Sequence, residues 1–209
     1  MSAEQVFTNA RLVLENEIVS GTLVIRDGKI ADIIAGNSRT GEDFDGDYII
    51  PGLVELHTDH LEAHYSPRPG VRWNKTAAIQ AHDAQVVTSG ITTVFDCLRM
   101  GSDEDGGFAH GEMREMADAI QAAARENRLR AEHKIHLRCE VSSADVLDHF
   151  MDFAEDPQVG LVSLMDHAPG QRQFQTMEQY VLYYQKKRGL SDEAFAAFVA
   201  NRQEASARY

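Results

Sequence analysis

Apolar and polar residues alternate in short runs over the first fifty residues, a pattern typical of β-strands. The segment LVIRDGKIADII, residues 23–34, contains two such runs on either side of Asp27 and Gly28. Both turn residues tolerate positive φ, so the segment predicts a β-hairpin. Strands this short and few need another surface to cover them. Residues 1–50 are therefore predicted to be a small β-layer, one portion of a β-sandwich rather than a full domain.

From Ile49 onward, apolar strand-like runs alternate with helical patterns. The helix predicted within 111–133 has an apolar stripe at Met113, Met116, Ile120 and Ala124. The strand-like runs are continuous and rich in β-branched residues, as buried parallel strands are. They lie at YIIPGLVEL (48–56), ITTVFDCL (91–98), HKIHLRCEV (133–141) and VGLVSLMDH (159–167). Residues 51–209 are therefore predicted to form a parallel α/β fold that ends in two helices, at 176–188 and 191–207.

The charge and the cysteines narrow the class of protein. The 209 residues carry a net charge of −13, which repels nucleic acid and anionic membrane surfaces. No apolar run reaches the roughly 18 residues of a transmembrane helix, and the N-terminus lacks a signal-peptide pattern. Cys97 and Cys139 form no CxxC pair, so we expect two buried free thiols in a reducing compartment. The sequence thus predicts a cytoplasmic protein that binds neither nucleic acid nor a membrane.

Ionisable side chains follow the predicted strands where each one ends. The first strand is followed by His57 and Asp59, the second is expected to end at Asp96 and Cys97, and later ones end in Glu140 and at His167. In parallel α/β folds, ligands bind outside the carboxyl ends of the strands. Positions i and i+2 of a strand face the same side, so His57 and Asp59 are predicted to be metal ligands. Glu140 and His167 are predicted to complete the same site.

Imidazole and carboxylate donors without thiolate suit Zn²⁺, Mn²⁺, iron or Ni²⁺. Glu140 can bridge two ions about 3.5–4 Å apart through its two oxygens, so one or two divalent ions are expected, with zinc preferred. Each histidine taken alone could instead be a hydrogen-bonded loop residue. His136 lies on the same strand face as Glu140 and is a weaker ligand candidate. His82 and His149 fall on helices, where surface or hydrogen-bonded roles are expected.

The loop SPRPGVRW holds two arginines between stiffening prolines. Pro67 and Pro69 fix φ, so Arg68 and Arg72 are held near the predicted metal site. Guanidinium groups bind phosphate with two parallel hydrogen bonds. A second loop, APGQRQF, adds Arg172. We expect these three arginines to bind a phosphorylated substrate, the alternative being a rigid loop with solvated arginines.

Several strings resemble the amidohydrolase superfamily, and in particular its PhnM branch in phosphonate metabolism. The opening NARLVL…GTLVIRDGKIADI and the string IIPGLVELHTD resemble the superfamily. ELHTDHLEAHYSPRPGVRW, HLRCE and SLMDHAPGQRQF are similar to the branch. The resemblance implies an enzyme, a metal-dependent hydrolase of alpha-D-ribose 1-methylphosphonate 5-triphosphate that releases diphosphate and leaves the 5-phosphate. It also implies a (β/α)8 barrel with a small β-domain.

Carried over by motif, His57 and Asp59 match the metal pair of the first barrel strand. Glu140 stands where many relatives use a carboxylated lysine, and His167 matches the next ligand strand. The resemblance gives Glu140 and Asp59 catalytic roles. His60 follows HTD where the branch usually has asparagine, which puts its role in doubt.

The length of the chain departs from that family pattern. A full barrel takes about 250 residues, and about 160 follow residue 50 here. We therefore expect the N-terminal half of a barrel, with a further strand hidden within 97–110 and the later ligand motifs beyond residue 209. A half barrel exposes a sheet edge, which predicts a homo-oligomer. Two alternatives remain: another amidohydrolase reaction, such as deamination or cyclic-amide hydrolysis, and an inactive fragment.

Overall fold

The computed structural model describes residues 4–68, 70–101, 108–109, 111–167, 176, 178, 180–181 and 191–206. The chain divides into two compact units, Met1–Gly52 and Leu53–Tyr209. The first unit is a five-stranded sheet. Its strands are β1 (Glu4–Val13), β2 (Ile18–Arg26), β3 (Lys29–Ala35), β4 (Glu42–Asp43) and β5 (Tyr48–Ile49).

The predicted hairpin is present in this first unit. β2 and β3 pair antiparallel with Arg26 opposite Lys29, and Asp27 and Gly28 between them have φ of 50° and 75°. The strand order is β3-β2-β1-β4, and β5 also pairs with β1. The prediction of a small β-layer in this part of the chain is confirmed.

The second unit is built on four parallel strands in the order β6-β7-β8-β9. The strands are β6 (Leu53–Thr58), β7 (Ile91–Met100), β8 (Glu132–Glu140) and β9 (Val159–Met165). The helices of this unit are α1 (His60–Tyr65), α2 (Lys75–Thr88), α3 (Glu112–Arg125), α4 (Val146–Met151) and α5 (Asp192–Ser206). The predicted parallel α/β fold is therefore confirmed.

The main core lies between the sheet and its helices. Met113, Met116 and Ile120 of the predicted stripe are buried on α3, where they pack with Ile135 and Leu137 of β8. Ala123, not the predicted Ala124, completes the buried face. One face of β8 therefore packs against α3, and the opposite face carries polar side chains.

Three predicted elements are not found as predicted in the described residues. The predicted strand YIIPGLVEL is interrupted, because Pro51 has no N–H to donate to a ladder, and β5 and β6 form on either side of it. The expected extra strand within 97–110 is not found in its described part: residues 97–100 complete β7, whereas 102–107 and 110 lie outside the described residues. Most of the predicted helix 176–188 lies outside them as well.

Apolar side chains remain exposed on the outer strands of the parallel sheet. Val54 and Leu56 of β6 are more than half exposed, as is Leu164 of β9. Among the described residues, no helix is both long and apolar enough to cross a bilayer. The predicted homo-oligomer stays a prediction that this exposed surface motivates.

Candidate active site at the strand ends

The predicted site is organised by one face of β8. His136, Arg138 and Glu140 alternate along this strand, so their side chains leave the same face of the sheet. His136 contacts the predicted ligand His57, and Arg138 contacts the predicted ligand Asp59. Glu140 is itself a predicted ligand. The face directed toward α3 carries Ile135 and Leu137 instead.

His57 lies beside the first of these residues. Its ring centroid is 5.0 Å from that of His136, in an edge-to-face arrangement. The Leu56 carbonyl accepts a hydrogen bond from His136 Nδ1 at 2.9 Å, and His136 Nε2 lies 2.8 Å from Ser163 Oγ. A carbonyl only accepts, so Nδ1 carries the hydrogen and Nε2 accepts from the serine. Burial lowers the pKa of His136, which keeps this imidazole neutral.

Cys97 extends the His57 group with a donor that the sequence analysis did not assign to the site. The ligand atoms of His57, Cys97 and His136 all lie within 4.8 Å of one another. Burial, followed by the nearby charge of Asp59, raises the pKa of the Cys97 thiol to about 12. Burial raises the pKa of Cys139 to about 11. Both cysteines are free and buried, as predicted.

Asp59 forms an ion pair with the second inward residue of β8. Arg138 Nη1 donates to Asp59 Oδ1 at 2.9 Å, and the two side chains are 11% and 45% exposed. Arg138 lies directly across from Arg99 of β7 in the strand register. Arg99 in turn pairs with Glu62 at 2.6 Å. Arg99 was missed in the sequence, although its position two residues after Cys97 gives it the same strand face.

The structure brings Glu140 and His167 together. Glu140 is fully buried, and its Oε2 lies 2.5 Å from His167 Nδ1. Its Oε1 accepts hydrogen bonds from Ser142 Oγ at 2.7 Å and from the His167 backbone N–H at 3.1 Å. This buried carboxylate therefore has hydrogen-bond donors on both of its oxygens.

The strand register shows how the two parts of the site are spaced. Cys97 pairs with His136 across β7 and β8, and Glu140 lies four positions further along β8. At about 3.3 Å per residue, this is roughly 13 Å along the strand. The His57 group and the Glu140–His167 pair thus lie at different positions along β8. The Asp59–Arg138 ion pair lies between them, because Arg138 comes between His136 and Glu140 on that strand.

The predicted arginine loop is only partly directed toward open solvent. Arg68 is exposed, and its backbone bridges to Val71. Arg72 is half-buried: its Nε donates to Glu112 Oε1 at 3.0 Å, and its guanidinium lies 4.7 Å from the ring centroid of Phe108. Arg172 and Pro69 lie outside the described residues.

One curated relative matches the chain over nearly its whole length. The chain is 42% identical, over 206 residues, to the Alpha-D-ribose 1-methylphosphonate 5-triphosphate diphosphatase of Escherichia coli (strain K12). The chain is a sequence relative of this diphosphatase. The resemblance that the motifs predicted is therefore confirmed. The alignment covers 98% of this chain and 54% of the diphosphatase, so the chain spans about half the length of that relative. No family model matches the chain.

Two solved structures were compared with the fold of the chain, and the first of them supports it. A triazine hydrolase variant (P214T/Y215H) matches with a TM-score of 0.50 and 13% identity, covering 95% of this chain and 58% of the other. A D-hydantoinase matches with a TM-score of 0.48 and 19% identity, covering 77% of this chain and 32% of the other. At such identities the first match shows the fold alone, and this fold agrees with the predicted β-layer and partial barrel.

Proposed function

We propose that this chain carries active-site residues of a metal-dependent hydrolase that releases diphosphate from alpha-D-ribose 1-methylphosphonate 5-triphosphate. The observation that carries the proposal is the 42% identity to a diphosphatase of that substrate across 98% of the chain. The inward face of β8 supports it, because histidine, arginine and carboxylate side chains meet there at the ends of parallel strands.

The proposed metal ligands fall into two pairs at different depths of the β8 face, His57 with Asp59 and Glu140 with His167. Their donor atoms, imidazole nitrogen and carboxylate oxygen, fit a divalent ion such as Zn²⁺ or Mn²⁺. The buried Glu140 carboxylate, hydrogen-bonded on both oxygens, supplies a negative charge that a cation would balance. Bound there, the ion would supply electrophilic activation of a phosphoryl oxygen and of a water molecule.

The chain's own residues would bind and orient the triphosphate. Arg99 and Arg138 stand side by side on adjacent strands, each already paired with a carboxylate. A phosphate group can replace those carboxylates as the acceptor, because guanidinium binds both anions with the same geometry. Arg68, Arg72 and Arg172 are proposed to hold the more distant phosphates. Such fixed cations stabilise charge that develops as the anhydride bond breaks.

Asp59 and Glu140 are the proposed catalytic carboxylates. Asp59 is the more exposed of the two and is proposed to accept a proton from a water molecule once phosphate has replaced it on Arg138. Glu140 is fully buried and is proposed to keep His167 in position through the Nδ1 contact. The two roles differ because one carboxylate faces water and the other does not.

The test measures binding and turnover of the triphosphate by phosphorus NMR, with Zn²⁺ or Mn²⁺ added. We expect the chain to bind the triphosphate and the diphosphate signal to grow, and both effects to weaken in Asp59→Asn. A panel of cyclic amides and aminopurines is run in parallel. Turnover of any of those, without triphosphate binding, would favour the alternative amidohydrolase activity and reject this proposal.

A further inference from the structure

A second cluster of metal-ligating side chains lies on the opposite, helix-facing side of the parallel sheet. His82 of α2, Asp96 of β7 and His133 of β8 have their ligand atoms within 4.8 Å of one another. All three side chains are buried, at no more than 1% exposed. Asp96 and His133 occupy strand positions that alternate with Cys97 and His136, so the cluster is separated from the strand-end site by the sheet itself.

The Asp96 carboxylate joins the two imidazoles. Its Oδ1 lies 2.8 Å from His82 Nε2, and its Oδ2 lies 2.7 Å from His133 Nδ1. A carboxylate that accepts from both rings is ionised. His82 therefore carries its hydrogen on Nε2. In the part of the chain that the structure describes, the other ring nitrogen of His82, Nδ1, is buried without a hydrogen-bond partner.

Asp83 contacts the His133 ring at Nε2, whereas Asp96 contacts it at Nδ1. His133 Nε2 lies 3.3 Å from Asp83 Oδ1, and the same oxygen accepts the backbone N–H groups of Arg130 and Ala131 at 2.9 and 3.0 Å. His133 thus lies between two carboxylates and donates from both nitrogens, so it is an imidazolium. The buried cluster already contains one exchangeable positive charge, the second proton of His133.

We propose that His82, Asp96 and His133 form a binding site for a divalent transition-metal ion, separate from the site at the strand ends. Two imidazole nitrogens and one carboxylate are a donor set that Zn²⁺ and Co²⁺ accept, with a fourth position for water. Asp83 is the outer carboxylate that orients His133, as the partners of metal-bound histidines commonly do.

The ring hydrogens of the cluster can be counted before and after a metal ion binds. On binding, His133 loses the hydrogen on Nδ1 and keeps the one on Nε2, which still donates to Asp83. The hydrogen of His82 moves from Nε2 to the vacant Nδ1. The three ring hydrogens of the metal-free cluster become two, so one proton is released for each ion bound.

An open cavity of about 360 Å³ borders the cluster on one side only. His82 lines this cavity, as do His57 and Asp59 of the strand-end site, whereas the fully buried Asp96 and His133 do not. His82 Nδ1 is itself buried. The cluster therefore adjoins the strand-end cavity through His82 alone.

The test uses Co²⁺ as the probe and the full 209-residue chain with His57→Asn and Asp59→Asn, which remove two ligands of the strand-end site. Both substituted side chains are exposed, so this background should fold. After removal of metal by a chelator, we expect one Co²⁺ per chain, a visible four-coordinate absorption spectrum and release of one proton per ion. Failure to bind Co²⁺ in this background would overturn the proposal.

Variants in that background identify the ligands. His82→Gln and His133→Gln should each weaken Co²⁺ binding by at least about a hundredfold, and Asp83→Asn by roughly 10–100-fold, as expected for an outer partner. His64→Gln is the matched control, because the His64 ring lies 6.1 Å from that of His82 and is not in the cluster; its affinity should not change. Equal affinity in all variants would place the ion elsewhere.

The ligand variants remove buried groups and could prevent folding. In that case pulsed EPR on the Cu²⁺-loaded background chain counts the bound imidazoles without changing the cluster. Two imidazole nitrogens on one ion support the proposal, and one or none rejects it. Since this background lacks two ligands of the strand-end site, the result does not depend on the proposed hydrolase function.

Discussion

The two faces of the same parallel sheet carry the same kinds of side chain in very different surroundings. On the strand-end face, Asp59 is 45% exposed and its ion pair with Arg138 borders solvent. On the helix-facing side, Asp96 is fully buried between His82 and His133. An exposed polar group can exchange its partner for a substrate at little cost, whereas a buried one is bound to the partners that the fold provides.

The same difference appears in the pKa values. Burial alone would raise the pKa of Asp96, but the hydrogen bonds from His133 and His82 outweigh it and lower the pKa. Burial alone would lower the pKa of His133, but Asp96 and then Asp83 raise it. The cluster is therefore a charge-balanced unit that couples α2 to the sheet. The strand-end face instead pairs Arg138 with the partly exposed Asp59, and Arg99 with Glu62, which is only 10% exposed.

The strongest test of this comparison substitutes one aspartate on each face. Asp96→Ala leaves the His133 imidazolium without its closest carboxylate, and we expect the free energy of unfolding to fall by about 3–5 kcal/mol, as for a broken buried ion pair. Asp59→Ala, the matched control, should cost about 1 kcal/mol or less, because its ion pair is partly exposed. Urea denaturation measures both. Similar losses at the two positions would contradict the distinction.

The second test counts metal ions. If each face holds its own ion, the unmodified chain binds two Co²⁺, whereas Glu140→Gln and His133→Gln each bind one. Each substitution should weaken its own site by at least about a hundredfold and leave the other unchanged. Equilibrium dialysis with metal analysis gives the count. A single ion that either substitution removes would mean that the two faces do not hold separate sites.

The sequence predicted the strand-end face better than the buried one, for a physical reason. Side chains at i and i+2 of a strand share a face, so His57 with Asp59, and His136 with Glu140, could be grouped from spacing alone. The Glu140–His167 contact was likewise expected, because parallel strands end at one edge. The resemblance of the motifs, which the 42% identity to the diphosphatase confirms, then supplied the chemistry that is proposed for this face.

The buried cluster could not be found in the same way. His82 lies on a helix, and Asp96 and His133 lie within strands, so no short spacing links them. Their meeting depends on how α2 packs on β7 and on the register that sets Val94 opposite His133. A signal was present nonetheless: Asp96 and His133 are polar residues inside otherwise apolar strand runs, and buried polar groups need partners.

The third test separates binding from stability on the strand-end face. Arg68 is exposed, so Arg68→Ala should lower affinity for the triphosphate roughly tenfold, as for loss of one charge-assisted hydrogen bond, with stability almost unchanged. Arg72 contacts Glu112 and Phe108, so Arg72→Ala should lower both affinity and stability. Calorimetry and urea denaturation report the two quantities. Unchanged affinity in Arg68→Ala would remove that residue from the proposed substrate site.

The smallest expected effect is a pH dependence of stability in the metal-free chain, and it belongs to the buried face alone. The groups that face His133 are Asp96 of β7, His82 and Asp83 of α2, and Arg130 before β8. Because the pKa of His133 is raised above its ordinary value of 6.5, its contribution is fully present below that value. The contribution is lost as the pH rises through the raised pKa, when two buried carboxylates lose the cation between them.

The carboxylates give the stability the opposite dependence, a loss at acidic pH. The pKa values of Asp83 and Asp96 are lowered from 3.8, so their contribution is present above that value and lost as the pH falls through the lowered pKa. Urea midpoints measured in chelator, from about pH 5 to pH 9, should therefore decline at the alkaline end. His133→Gln should abolish that decline, and His64→Gln, the matched control, should retain it. A decline that persists in His133→Gln would assign the titrating group to the strand-end face and break the comparison.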